Sequence, residues 1–142
     1  MAIKKKTVEK LIGLIKKDID KLLIEKTSLE IVLENLNNQL INLQESYQRE
    51  LNYTIANHIV NFDSSNFIFN EINKQNRKKN EINEVIDNLN HLLNDIMNKN
   101  VERKKYEHLL SQILENEKIL EEKNEMRIID EFAMLNSKEH NS

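Results

Sequence analysis

The chain has 142 residues, of which 32% are charged and 39% apolar, with a net charge of −3, one glycine, no proline and no cysteine. So little turn punctuation argues against an ordinary globular domain built from many short elements. The missing cysteine excludes disulfides, thiolate metal sites and thiol nucleophiles, and the slightly acidic balance argues against nucleic acid as a partner.

From about residue 3 to about residue 60 the chain reads as one helix. Val8, Ile12, Ile15, Ile19, Leu22, Leu29, Leu33, Leu36, Leu40, Leu43 and Tyr47 recur at alternating spacings of four and three. That mean period of about 3.5 residues is the seam of a left-handed coiled coil. Lys26 is the one position between Val8 and Tyr47 that breaks the series. Its stem can lie along neighbouring leucines while the ammonium reaches water, and it fixes register at some expense in stability. After Tyr47 the apolar residues step by four through Leu51, Ile55 and Ile59, which predicts a local unwinding of the supercoil. Ile24 and Ile31 fall opposite the seam, as scattered surface isoleucines or as a partner surface.

The only cluster of turn formers lies at residues 61–66, with Asp63, Ser64, Ser65 and Asn66 at its centre. Such side chains favour turns and cap a following helix. The reversal is placed there, with Ser64 or Ser65 as the N-cap. A second helix then runs from about 66 to about 135, with a frayed tail at 136–142. Its clearest stripe is Ile82, Ile86, Leu89, Leu93 and Ile96; Val101, Tyr106, Leu109, Leu110, Ile113 and Leu114 continue it less regularly. The expected fold class is all-α, a single domain of two long helices in an antiparallel coiled-coil hairpin, roughly 80–90 Å long at 1.5 Å rise per residue.

Charge favours that pairing. Residues 1–21 carry seven basic and three acidic residues, a net of +4, and residues 115–131 carry three basic and seven acidic ones, a net of −4. A reversal at residue 64 or 65 brings these stretches together, whereas a parallel self-dimer aligns like charges; a monomer is expected. On that pairing the second helix outruns the first from about Met126. Ile128, Ile129 and Phe132 then form an apolar tip suited to docking.

Nothing predicts catalysis. Asp87, His91 and Asp95 share a helical face at four-residue steps, a spacing that exposed polar residues produce by chance, so no metal is expected. His91 and His108 follow Asn88 and Lys105 by three, which leaves out the Glu-x-x-His pattern of di-iron bundles. No glycine loop cradles phosphate, no nucleophile motif occurs, and no cofactor is implied. Met1–Lys6 opens as a signal peptide can, but charges recur from Glu9 where an apolar stretch is required. The lysine-rich start reads as a solvated helix end rather than a lipid-binding segment. No apolar run is long enough to span a membrane.

Leu40–Tyr47, read Leu-Ile-Asn-Leu-Gln-Glu-Ser-Tyr and followed by Leu51 and Asn52, resembles the end of the first helix of the FliJ family. Those proteins are small coiled coils of the bacterial flagellar export apparatus. Val101–Tyr106 resembles the charged middle of that family's second helix, and Ile129–Ala133 is similar to its C-terminal Asp-Glu-Phe-Ala segment. The resemblance implies a non-enzymatic stalk. It would bind the hexameric export ATPase, the cytoplasmic domain of the export gate and the export chaperones, and work in the cytoplasm at the inner face of the membrane. By local match the gate contact falls at Leu40, Leu43 and Tyr47, and the resemblance implies that the end bearing the tip residues Ile128, Ile129 and Phe132 enters the ATPase ring. The family's partner residues early in the second helix find no clean match at residues 72–79. The equivalent stalk of a virulence injectisome, or a structural or chaperone-like coiled coil unrelated to secretion, would carry the same period.

Overall fold

The computed structural model describes residues 4–58 and 62–140. They form two helices that pack against each other, α1 (Lys5–Ala56) and α2 (Phe62–His140). No proline interrupts either helix, and a Cβ built on Gly13, the one glycine, meets nothing within 4 Å. Ile3, Ile59 and Asn61, which entered the sequence reading, lie outside the described residues.

The break between the two helices comes earlier than expected. α1 stops at Ala56, and the carbonyl of Tyr53 accepts both the backbone N–H of Asn57 (3.1 Å) and its side-chain amide (2.9 Å). His58 then takes a φ of 52°, the left-handed conformation that commonly ends a helix. Asp63, Ser64, Ser65 and Asn66 are therefore not the turn; they form the start of α2. The same chemistry accounts for both placements, since an acidic residue is also favoured in a first helical turn, at the positive end of the dipole. At the other end α2 continues through residues 136–140, where a frayed tail was expected and where no glycine or proline stops it.

The contacts divide the chain into two units, one of Met1–Asp18 with Lys99–Ser142 and one of Ile19–Asn98. In the first, Val8, Ile12 and Ile15 of α1 are buried, and Lys99, Arg103, Tyr106, Leu110 and Ile113 of α2 are half-buried. Two ion pairs join the segments, Asp18–Lys99 at 3.5 Å and Lys5–Glu117 at 3.9 Å. From Leu114 to Lys138 every residue of α2 is exposed. The uncovered stretch thus begins about three turns before Met126, and among the described residues Glu117 alone of the acidic 115–131 segment pairs with the basic start.

In the second unit the α1 seam continues from Ile19 through Leu22, Lys26, Leu29, Leu33, Leu36, Leu40 and Leu43 to Tyr47, all buried or half-buried. Lys26 keeps its place by pairing with Glu30 at 3.3 Å, one turn on. Beyond Tyr47 the covered face follows the apolar steps of four only as far as Leu51. The covered positions are Glu50, Leu51 and Thr54, while Ile55 is 64% exposed. Steps of four residues advance about 400°, so a run of them walks off the face at about 40° per step. The three-and-four alternation is retained by carrying Glu50 and Thr54 inward.

Along α2 a covered line of this unit runs through Ser64, Ile68, Glu71, Gln75, Lys78, Ile82, Val85, Leu89, Leu92 and Ile96, again at alternating steps of four and three, with Phe67 and Asn73 half-buried beside it. The predicted stripe is half right. Ile82, Leu89 and Ile96 lie on it, but Val85 and Leu92 replace Ile86 and Leu93, which are 39% and 45% exposed.

Candidate partner-binding surfaces

The first candidate surface lies in the second unit. Leu40, Leu43 and Tyr47 are half-buried members of the α1 seam, so their side chains serve packing before they can serve a partner. Leu43 also borders an open groove. Gln39 and Asn42 line it from α1, and Lys74, Arg77, Lys78 and Glu81 line it from α2. The α2 wall falls on the polar stretch that matched no partner residue in the sequence. Its signal was present as cations at i, i+3 and i+4, a spacing that places them on one helical face.

The groove's charges are partly matched within their own helix. Lys74 pairs with Glu71 at 3.3 Å and Lys78 with Glu81 at 3.4 Å. Glu71 is itself buried, and while its Oε1 receives Lys74, its Oε2 has no hydrogen-bond partner. Gln75 Nε2, one helical turn on, is also buried without one. The turn-proximal part of the seam therefore holds polar groups where leucines would pack. Buried polar groups of this kind cost stability and restrict the registers a coiled coil can adopt.

The second candidate surface is the exposed end of α2 in the first unit. Ile128, Ile129 and Phe132 are 61%, 60% and 65% exposed, and Leu120, Met126, Met134 and Leu135 are similarly open. So many large apolar side chains on one uncovered helix exceed the scatter usual for a solvated surface. The shallow clefts here, one along Ile119, Met126 and Arg127 and another along Met134 and Leu135, are grooves on the surface of a single helix.

The remaining candidates do not assemble. Asp87, His91 and Asp95 are all exposed, and among the described residues no three His, Asp or Glu side chains gather to hold a metal ion. His108 lies 3.2 Å from Gln112 on the outer face of α2. Ile24 and Ile31 are exposed on α1, where the Ser28 hydroxyl donates to the Ile24 carbonyl at 3.1 Å. No described helix is long and apolar enough to cross a membrane.

No protein-family model matches the chain, and no curated protein or solved structure is similar to it.

Proposed function

We propose that this chain is a non-enzymatic stalk of the flagellar protein export apparatus, of the FliJ type. In this reading α1 and α2 form an antiparallel coiled-coil hairpin. The exposed end of α2 docks on the export ATPase ring through Ile128, Ile129 and Phe132. The Leu40–Tyr47 region, with the groove beside Leu43, meets the cytoplasmic domain of the export gate and substrate chaperones. The protein acts in the cytoplasm, held at the inner face of the membrane by its partners.

The observation that carries this reading is the alternation of covered positions, along α1 from Val8 to Thr54 and along α2 from Ser64 to Ile113, which persists where polar residues must occupy it. A chain selected only for a stable rod would fill those positions with leucine. The pairing of Lys5 with Glu117 and Asp18 with Lys99 supports the antiparallel arrangement, since residues later in α1 meet residues earlier in α2. The FliJ-like segments at Leu40–Tyr47, Val101–Tyr106 and Ile129–Ala133 support the assignment to flagellar export.

The test is co-purification of the tagged full chain with the cognate flagellar ATPase, the injectisome ATPase and the gate domain, each in turn. The flagellar ATPase should be retained, and truncation after Asn124 should abolish its retention while leaving the helical signal of the remaining chain. Retention of the injectisome enzyme alone moves the stalk to that system. Retention of neither removes the secretion reading.

A further inference from the structure

We propose that the end of α2 carries a second coiled-coil seam, centred on Ile128, Phe132 and Leu135, that receives a cationic amphipathic helix from a partner protein. The proposal rests on reading this end as a docking surface, and not on which partner it belongs to.

α2 packs on α1 through a line that ends at Tyr106, Leu110 and Ile113. The same steps of three and four carried onward pass through Glu117, Leu120, Asn124, Arg127, Glu131 and Met134, mostly polar residues. The apolar line of the exposed end is a different one. Glu121, Glu125, Ile128, Phe132 and Leu135 are themselves spaced by four and three, each one residue beyond the first line or one beyond its continuation. One residue is about 100° of helical rotation. Ile128, Phe132 and Leu135 are therefore not the spare end of the intramolecular seam. They form a separate stripe turned a quarter-circle or more away from it, and 61–65% of the surface of its three apolar members is open.

Charge specifies the occupant. On a helix, Glu122, Glu131 and Lys138 flank this stripe and Glu121 and Glu125 lie within it, while Lys123 and Arg127 fall away from it, so stripe and flanks together are acidic. A second copy of this stripe would set carboxylates against carboxylates in parallel pairing, and in either direction its own flanks are mainly acidic. Nucleic acid would meet the same repulsion. A helix with an apolar seam and lysine or arginine at its flanking positions matches both features, since charges flanking a seam select coiled-coil partners.

The test uses the full chain and two synthetic three-heptad peptides with leucine seams, one flanked by lysine and the other by glutamate, titrated by fluorescence anisotropy. The lysine peptide should bind and the glutamate peptide should not. The double variant Ile128→Gln with Phe132→Gln should weaken binding roughly tenfold or more, as loss of central apolar anchors does. Leu120→Gln with Met134→Gln, on the continuation of the intramolecular line, should leave it within about twofold on the same principle. Glutamine is a good helix former, and circular dichroism should show both variants as helical as the parent. Equal binding of the two peptides, binding of neither, or loss in the Leu120/Met134 variant alone overturns the proposal. If the lysine peptide binds as stated but the export ATPase does not bind the parent chain, the stripe stands and the export reading falls.

Discussion

Asp18 on α1 and Lys99 on α2 meet at 3.5 Å although 81 residues separate them in sequence. Lys99 occupies a position where the packing line of α2 turns inward, and it spreads its charge between Asp18 and its helical neighbour Glu102, 3.8 Å away. Both partners of the cross-helix pair remain well hydrated, so its contribution is small. A double-mutant cycle of Asp18→Asn and Lys99→Gln should give a coupling of about 0.2–1 kcal/mol, diminished by salt. Urea unfolding at low and high salt measures it; a coupling unchanged by salt would contradict an exposed pair.

The adjacent leucines of α2 should behave differently. Leu92 is 7% exposed and Leu93 45%. Leu92→Ala should destabilise by about 2–4 kcal/mol, combining lost transfer energy with the space left behind. Leu93→Ala should cost well under about 1 kcal/mol, as expected of a substitution on an open surface. Equal shifts in urea midpoint would place the α2 register elsewhere.

Buried Glu71 should be a net liability to stability. Replacing it by leucine removes a carboxylate oxygen that has no hydrogen-bond partner and fills a seam position with apolar volume. Glu71→Leu should raise the unfolding free energy by about 1–3 kcal/mol, the range for relieving an unsatisfied buried group. Denaturant unfolding measures the gain, and an unchanged or lowered midpoint would contradict it.

Two backbone positions should each tolerate the opposite residue. Gly13 is mid-helix with open space where a Cβ would stand, so Gly13→Ala should stabilise by about 0.5–1 kcal/mol. His58 holds a positive φ, so His58→Gly should be neutral or stabilising, and His58→Val should destabilise. Thermal unfolding followed by circular dichroism ranks all three.

Much of α1 could be read directly because its seam residues are isolated. Between Val8 and Tyr47 the alternation selects a single covered line, and every member of it is buried or half-buried. α2 resisted that reading because its apolar residues come in adjacent pairs. Val85 stands beside Ile86 and Leu92 beside Leu93, so two lines about 100° apart fit the sequence nearly as well. The partner surfaces were legible to a similar degree. The apolar end of α2 follows from composition, but the groove beside Leu43 needed the cations of residues 74–78 to be set against α1.

The sequence alone therefore determined two long helices, since the chain lacks proline and places its apolar residues at helical spacing. It also determined the covered face of α1. The packing of α1 on α2 decided which of two apolar lines on α2 turns inward and which polar residues are carried into the seam. The physical reason is that helix formation depends on local backbone bonding, whereas the buried face is chosen jointly by two helices. Glu50, Thr54, Glu71 and Gln75 are covered because the pairing of the whole helices fixes the rotation at each point, and a single polar residue cannot turn it away.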